Sequence, residues 1–206
     1  MYSAFMALCE NADFDISEAR RVLAQIDLSK EFEHAPKWNG HTYSPIWFTP
    51  LSMAVFYNNV RMLQLLLSLG ADPNVVYNEY ENVLWDLQYN DGETDEENEN
   101  RLVMAKYLLE YGADPLVDPE NDGEPLLDYI IYAVFNDDLD ALWEYRSRFL
   151  ILLVAYGAKS QYCTPRVVGE FDKDKLAQYK FYMVPEDNGK YSGAITNGQG
   201  AIVAYV

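Results

Sequence analysis

The residues of this 206-residue chain that could do chemistry are few and poorly spaced for it. His34 and His41 are the only histidines, seven apart in a loop, with no cysteine or further histidine to complete the ligand set zinc requires. Asp118-x-Glu120-x-Asp122-Gly123 has the oxygen donors of half a calcium loop. Tyr129, however, stands where the bidentate glutamate belongs, and Pro125 interrupts the loop backbone. Gly193, Gly198 and Gly200 neither open a helix nor precede Lys-Ser/Thr, so no phosphate cradle is expected. Cys9 and Cys163 lack a neighbouring base to make a thiolate. Two cysteines outside any CxxC build no disulfide framework and fit a reduced, cytoplasmic setting. With 33 acids in the chain, a pair of carboxylates does not by itself mark an acid–base catalyst. Neither an enzyme nor a cofactor is expected from these residues.

Helix punctuation is what the chain has instead. In residues 49–74 (TPLSMAVFYNNVRMLQLLLSLGADPN), Pro50 suits a helix first turn, where a missing N–H costs nothing. Leu51, Ala54 and Val55 share one helical face, and Asn58-Asn59 interrupts the run. Val60, Leu63, Leu66 and Leu67 mark a second face at spacings of three and four. Gly70 ends that helix as a C′ glycine does, and Pro73 prevents its resumption. Helices of about seven and ten residues are too short to persist alone in water, so the pair must bury its apolar side against a neighbour.

The unit recurs. Gly70-Ala71-Asp72-Pro73 returns as Gly112-Ala113-Asp114-Pro115 and, reduced, as Gly157-Ala158, each after a leucine-rich stretch. These residues resemble the ankyrin repeat, whose signature runs Thr-Pro-Leu-His-x-Ala, two apolar helical stripes, then Leu-Leu-x-x-Gly-Ala-Asp-x-Asn. Residues 49–74 fit it without a gap, with Ser52 in the histidine slot. Residues 83–87 and 125–129 resemble a variant with Asp86 or Asp128 in that slot, and 4–9 with 17–25 a degenerate copy without Gly-Ala.

The resemblance implies a mainly α fold: an ankyrin-type helical-hairpin solenoid of about four divergent repeats over 1–160 (1–30, 45–76, 79–117 and 120–160). Residues 161–206 read as a C-terminal β-rich cap. There 178–184 alternates like a strand, Asn188-Gly189 is a turn, and 191–196 and 201–206 are short apolar stretches. A small antiparallel β meander of three such strands is marginal alone, so it should pack on the last helices. It either closes the open end of the stack or adds a recognition surface.

The period departs from the ankyrin value of about 33 residues. Gly70 to Gly112 is 42 residues and Gly112 to Gly157 is 45. In the first interval Thr94 and Glu97 form a capping-box pair, and Asp95 and Glu96 suit the positive end of a helix dipole. The run DGETDEENEN thus reads as a polar N-terminal extension of a second helix. In the second interval Leu139, Leu142, Trp143, Arg146, Phe149, Leu150 and Leu153 keep a helical period across the added turns. Two neighbouring repeats lengthened at one end would raise a wall there.

Charge is segregated. The formal net charge is −18, and residues 79–140 hold 19 acids against Arg101 and Lys106 alone, net −17. Nucleic acid, whose binding rests on phosphate neutralisation, would be repelled. A basic protein partner would be drawn in faster. The acids also serve solubility, and composition does not separate the two roles. No apolar run approaches the ~20 residues of a membrane span. The first residues, MYSAFMALCENADF, have no basic segment or cleavage site and read as a first helix.

In residues 27–48, Asn39-Gly40 is a hairpin turn signal flanked by Trp38, His41 and Tyr43. In ankyrin proteins this place holds a projecting finger, and Trp47 stands in a slot the family gives to glycine. The next fingers would be 75–82, with Tyr77 and Tyr80, and 116–124. The resemblance implies protein binding through fingers and first-helix faces, with Trp38, Tyr43, Phe56, Tyr57, Tyr77, Tyr80, Tyr89 and Asn90 as anchors. Asp91, Glu93, Asp95, Glu96, Glu97 and Glu99 would steer the basic partner. One alternative is an immunity-type inhibitor neutralising a cationic bacterial toxin such as a nuclease. Short divergent ankyrin proteins of this kind look bacterial, and an acidic protein can mask a basic cleft. A third reading is an enzyme with its site where repeats meet the meander, which needs a pocket of converging polar groups. The partner and the oligomeric state stay open.

Overall fold

Helices pair along the chain in the computed structural model, which describes residues 2–35, 37–38, 41–42, 45–77, 81–88, 94–118, 125–136, 142–160, 165–185 and 191–206. Two compact units result, residues 1–113 and 114–206. None of the described helices is long and apolar enough to cross a membrane.

The first unit begins with α1 (Tyr2–Glu10) and α2 (Ile16–Leu23), where the Asp15 side chain accepts from Glu18 N at 2.8 Å. Strands β1 (Phe32–His34), β2 (Lys37–Trp38), β3 (His41–Thr42) and β4 (Ile46–Phe48) follow. They pair antiparallel as β1–β4 and β2–β3, with Trp38 and His41 as register partners, which is the predicted first finger. Helices α3 (Pro50–Phe56) and α4 (Val60–Ser68) come next, then β5 (Val76–Tyr77) paired with β6 (Glu81–Asn82) as the second finger. Helices α5 (Val83–Asp86) and α6 (Asp95–Glu110) complete the unit. First helices pack on one another, α1 on α3 and α3 on α5, and the second helices α4 and α6 do likewise. This is the mutual burial that helices of seven and nine residues require.

Each hairpin owes its shape to particular hydrogen bonds. Thr49 and Ser52 form a reciprocal capping box, with Ser52 Oγ accepting from Thr49 N at 2.9 Å. Asn59 does more than interrupt a helix: its Oδ1 accepts from Met62 N to cap α4, and its Nδ2 donates 2.9 Å to the Cys9 carbonyl at the end of α1. One buried amide therefore starts a helix in one layer and finishes a helix in the next. At the other end of the hairpin, Asn74 Nδ2 donates 2.9 Å to the Gly112 carbonyl. Gly70, Gly112 and Gly157 all adopt φ near +90° (92°, 95° and 89°), where a Cβ is disfavoured. Behind each, Ala71, Ala113 or Ala158 donates back to Leu66, Leu108 or Leu153. That is one Schellman motif three times, and each alanine is buried as its apolar contact demands.

Two expectations need correction. Asn82 caps α5 by accepting from Leu84 N and Trp85 N, so Trp85 occupies the position of Ser52 and Asp86 lies one residue beyond it. The 42-residue interval is met as predicted, by α6 growing to 16 residues on a Thr94–Glu97 capping box. The 45-residue interval is shared between two helices: α7 (Leu126–Asn136) has 11 residues and α8 (Trp143–Ala155) has 13, against 7 and 9 in α3 and α4. Leu139 lies outside the described residues.

In the second unit α7 packs on α8, and a four-stranded antiparallel sheet covers α8. Its order is β7 (Arg166–Val167), β10 (Ile202–Tyr205), β9 (Tyr191–Thr196) and β8 (Lys180–Pro185). The predicted meander is β8–β9–β10, and β7 adds an edge that two residues of sequence did not announce. Inward-facing Phe181 sets its ring against Phe135 at 5.8 Å and Trp143 at 6.3 Å. Gly193 is glycine because a Cβ there would lie 2.3 Å from that ring. The sheet thus shares a unit with the last helix pair. Phe181 is the reason: its burial joins strand to helices.

Candidate protein-binding site

Two of the predicted anchors, Phe56 and Tyr57, close α3 and meet the base of the first finger. Phe48 from β4 and Phe56 make an edge-on ring contact at 5.3 Å, and Phe56 and Tyr57 another at 5.2 Å. The Tyr57 hydroxyl donates 3.0 Å to Glu10 Oε1 and lies 3.3 Å from His34 Nε2. Burial first, then the bond to and charge of Glu10, push the phenol up from its usual range, so it stays a neutral donor. His34 is accordingly held in an aromatic row. Both residues are half-buried, so an edge of each reaches solvent.

Tyr77 does not fit its expected role. It is 5% exposed, and its hydroxyl donates to Asp86, with Ser52 also in hydrogen-bond contact. Placed second in β5, it turns inward because strand side chains alternate, and the exposed neighbour is Val76. The result is a buried tie between finger and helices. Burial, foremost, pushes the Asp86 carboxyl up to about 7; the Tyr77 bond and the Arg101 charge oppose the rise, and Glu81 adds to it.

Among the predicted steering acids, Asp95, Glu96 and Glu99 are exposed at the start of α6. Glu97 is half-buried, because its carboxylate accepts from Thr94 N at 3.1 Å in the capping box. Tyr43, Tyr80, Tyr89, Asn90, Asp91 and Glu93 fall outside the described residues, as do Glu120, Asp122, Gly123 and Cys163. Trp38 is placed by its backbone in β2. Cys9 is buried, and desolvation pushes its thiol up, the reverse of nucleophile activation. Trp47, in the slot that ankyrin repeats give to glycine, is 47% exposed on β4 opposite Glu33. The period-two alternation from Ile46 to Phe48 was the signal for it.

Residues 47–78 match the Ankyrin repeat family, and the chain carries an ankyrin repeat there. Among solved structures, the chain is similar to one in the complex of a predatory endopeptidase from Bdellovibrio bacteriovorus with an immunity protein. The likeness has a TM-score of 0.41 at 17% identity and covers 75% of this chain and 81% of that one. A resemblance of that degree assigns no function. No curated protein is significantly similar in sequence.

Proposed function

We propose that the chain is a protein-binding module whose four helix hairpins form one ankyrin-type stack, and that its partner is a basic protein. The contact would run over the fingers and first-helix ends, with Trp38, Tyr43, Phe56, Tyr57, Tyr80, Tyr89 and Asn90 as anchors and exposed Trp47 beside them. The observation that carries this is charge segregation: 79–140 holds net −17 of a total −18. A helix N-terminus repays a nearby acid by about 0.3–1 kcal/mol, which accounts for Asp95 and Glu96 but not for 19 acids. Steering of a basic partner is the role we assign to the rest.

Capture of the partner by the intact chain in its own host comes first, followed by association kinetics against salt. Joint substitution Asp95→Lys, Glu96→Lys and Glu99→Lys should slow association roughly tenfold and flatten its salt dependence, with little change in dissociation. An acidic partner, or an association rate indifferent to salt and to these reversals, would sink the proposal. Inhibition of a captured cationic toxin would make the chain an immunity-type inhibitor, the particular case of this reading.

A further inference from the structure

The second-helix side of the first unit holds a groove of about 470 Å³, within the range of ligand pockets. Three helices feed it from four-residue pairs: Ile16 and Arg20 on α2, Arg61 and Leu65 on α4, Tyr107 on α6 and Tyr111 at its C-cap. The lining includes two arginines and no carboxylate, in a chain with 33 acids and 15 bases. The Arg61 guanidinium is fixed, donating 2.9 Å to the Phe14 carbonyl and lying 4.8 Å over the Phe14 ring. Its ion pair with Asp13 is 3.7 Å long, and the Asp13 side chain is fully exposed, a geometry worth little in water. Arg20 has no hydrogen bond or ion pair through its side chain among the described residues. Ile16 and Tyr111 in the lining are 45% and 49% exposed.

We infer that this groove is a docking site for an acidic–apolar peptide segment of a partner protein, separate from the surface proposed above. Guanidinium forks pair bidentately with carboxylates, and one of the two is already held in place by Phe14. Exposed Ile16 and Tyr111, with half-buried Tyr107, give the flanking apolar side chain a surface to cover. A basic segment would meet both arginines, and a polyanion such as nucleic acid would meet the field of the whole chain at −18. A short segment with one or two acids feels mainly the local pair, because charges beyond about 8 Å are screened at physiological salt.

The test is selection of a random displayed peptide library on the intact protein. Selected peptides should place Asp or Glu beside Leu, Phe or Trp. Arg20→Ala and Tyr111→Ala, at exposed positions where the fold should survive (checked by melting), should each weaken a selected peptide about tenfold, near 1.4 kcal/mol. Asp95→Lys with Glu96→Lys should leave that affinity unchanged, which keeps a failure here distinct from a failure of the basic-partner proposal. No selected peptide, an acid-free or basic consensus, or indifference to both groove substitutions would overturn the inference. So would displacement of the peptide by N-acetylaspartate at equal concentration, the behaviour of a site for small acids.

Discussion

Helices α4 and α6 finish on the same device, a positive-φ glycine followed by a buried alanine that donates to the carbonyl of Leu66 or Leu108. They begin differently. Helix α4 starts at Asn59, which is 2% exposed and bonded to the layer below. Helix α6 starts at exposed Thr94, and its buried residues begin only at Leu102. The contrast shows which part of a repeat the stack controls. Where a helix lies against neighbours, its length is dictated by what it must bury. The first turns of α6 meet a neighbour at the Glu97 carbonyl, which accepts from Asn58 Nδ2 at 3.4 Å, yet they bury no residue fully, so the helix can lengthen there provided a capping box and a few acids satisfy its end. The extension of α6 is therefore free to carry charge without cost to the core.

Core truncation probes the shared end and should have the largest effect. Leu66→Ala and Leu108→Ala remove fully buried side chains at equivalent positions, and each should cost about 2–5 kcal/mol in denaturant unfolding. A Leu108→Ala cost below half that of Leu66→Ala would break the equivalence of the two repeats.

The next effect distinguishes the helix starts beside the second finger, where neutral Ser52 and the carboxyl of Asp86 share the Tyr77 hydroxyl. Asp86 titrates near 7 when folded against 3.8 ordinarily, so the folded state holds its proton more tightly. Stability from this group is present at acid pH and is lost as pH rises from the unfolded toward the folded value. Asp86→Asn should thus raise stability at pH 8 by roughly 1–3 kcal/mol and flatten the pH dependence between about 4 and 7. A less stable Asn variant at pH 8 would mean that the ionised carboxylate is itself favourable there.

The smallest effect compares the two capping boxes. Thr49→Ala, at a fully buried cap, should cost about 2 kcal/mol, and Thr94→Ala, at an exposed one, about 0.5–1 kcal/mol. Equal losses in thermal melts would show that α6 is held from its free end after all.

Much of the fold was legible because it is written in short-range signals. Pro50, the apolar stripe from Val60 to Leu67 and Gly70 place both helices of the second repeat within a residue of their observed ends. Thr94 with Glu97 locates the start of α6. The site was less legible. Tyr77 and Tyr57 are both tyrosines at the end of an element, and only strand alternation against Asp86 puts one in the core. Asn82 rather than a Thr-Pro pair caps α5, which moved Asp86 by one place. The groove had no motif at all, since Ile16, Arg61 and Tyr107 are each about 45 residues from the next.

The chain's own order of residues determined where helices start and stop, that they come as hairpins, and that the charge is concentrated in one stretch. These follow from φ preferences, capping bonds and composition, which act within a few residues. The packed structure alone decided that Asn59 joins two layers, that Phe181 draws the C-terminal sheet onto the last helices, and which of the aromatics and arginines reach solvent together. Those depend on contacts between residues far apart in sequence, which no local pattern encodes.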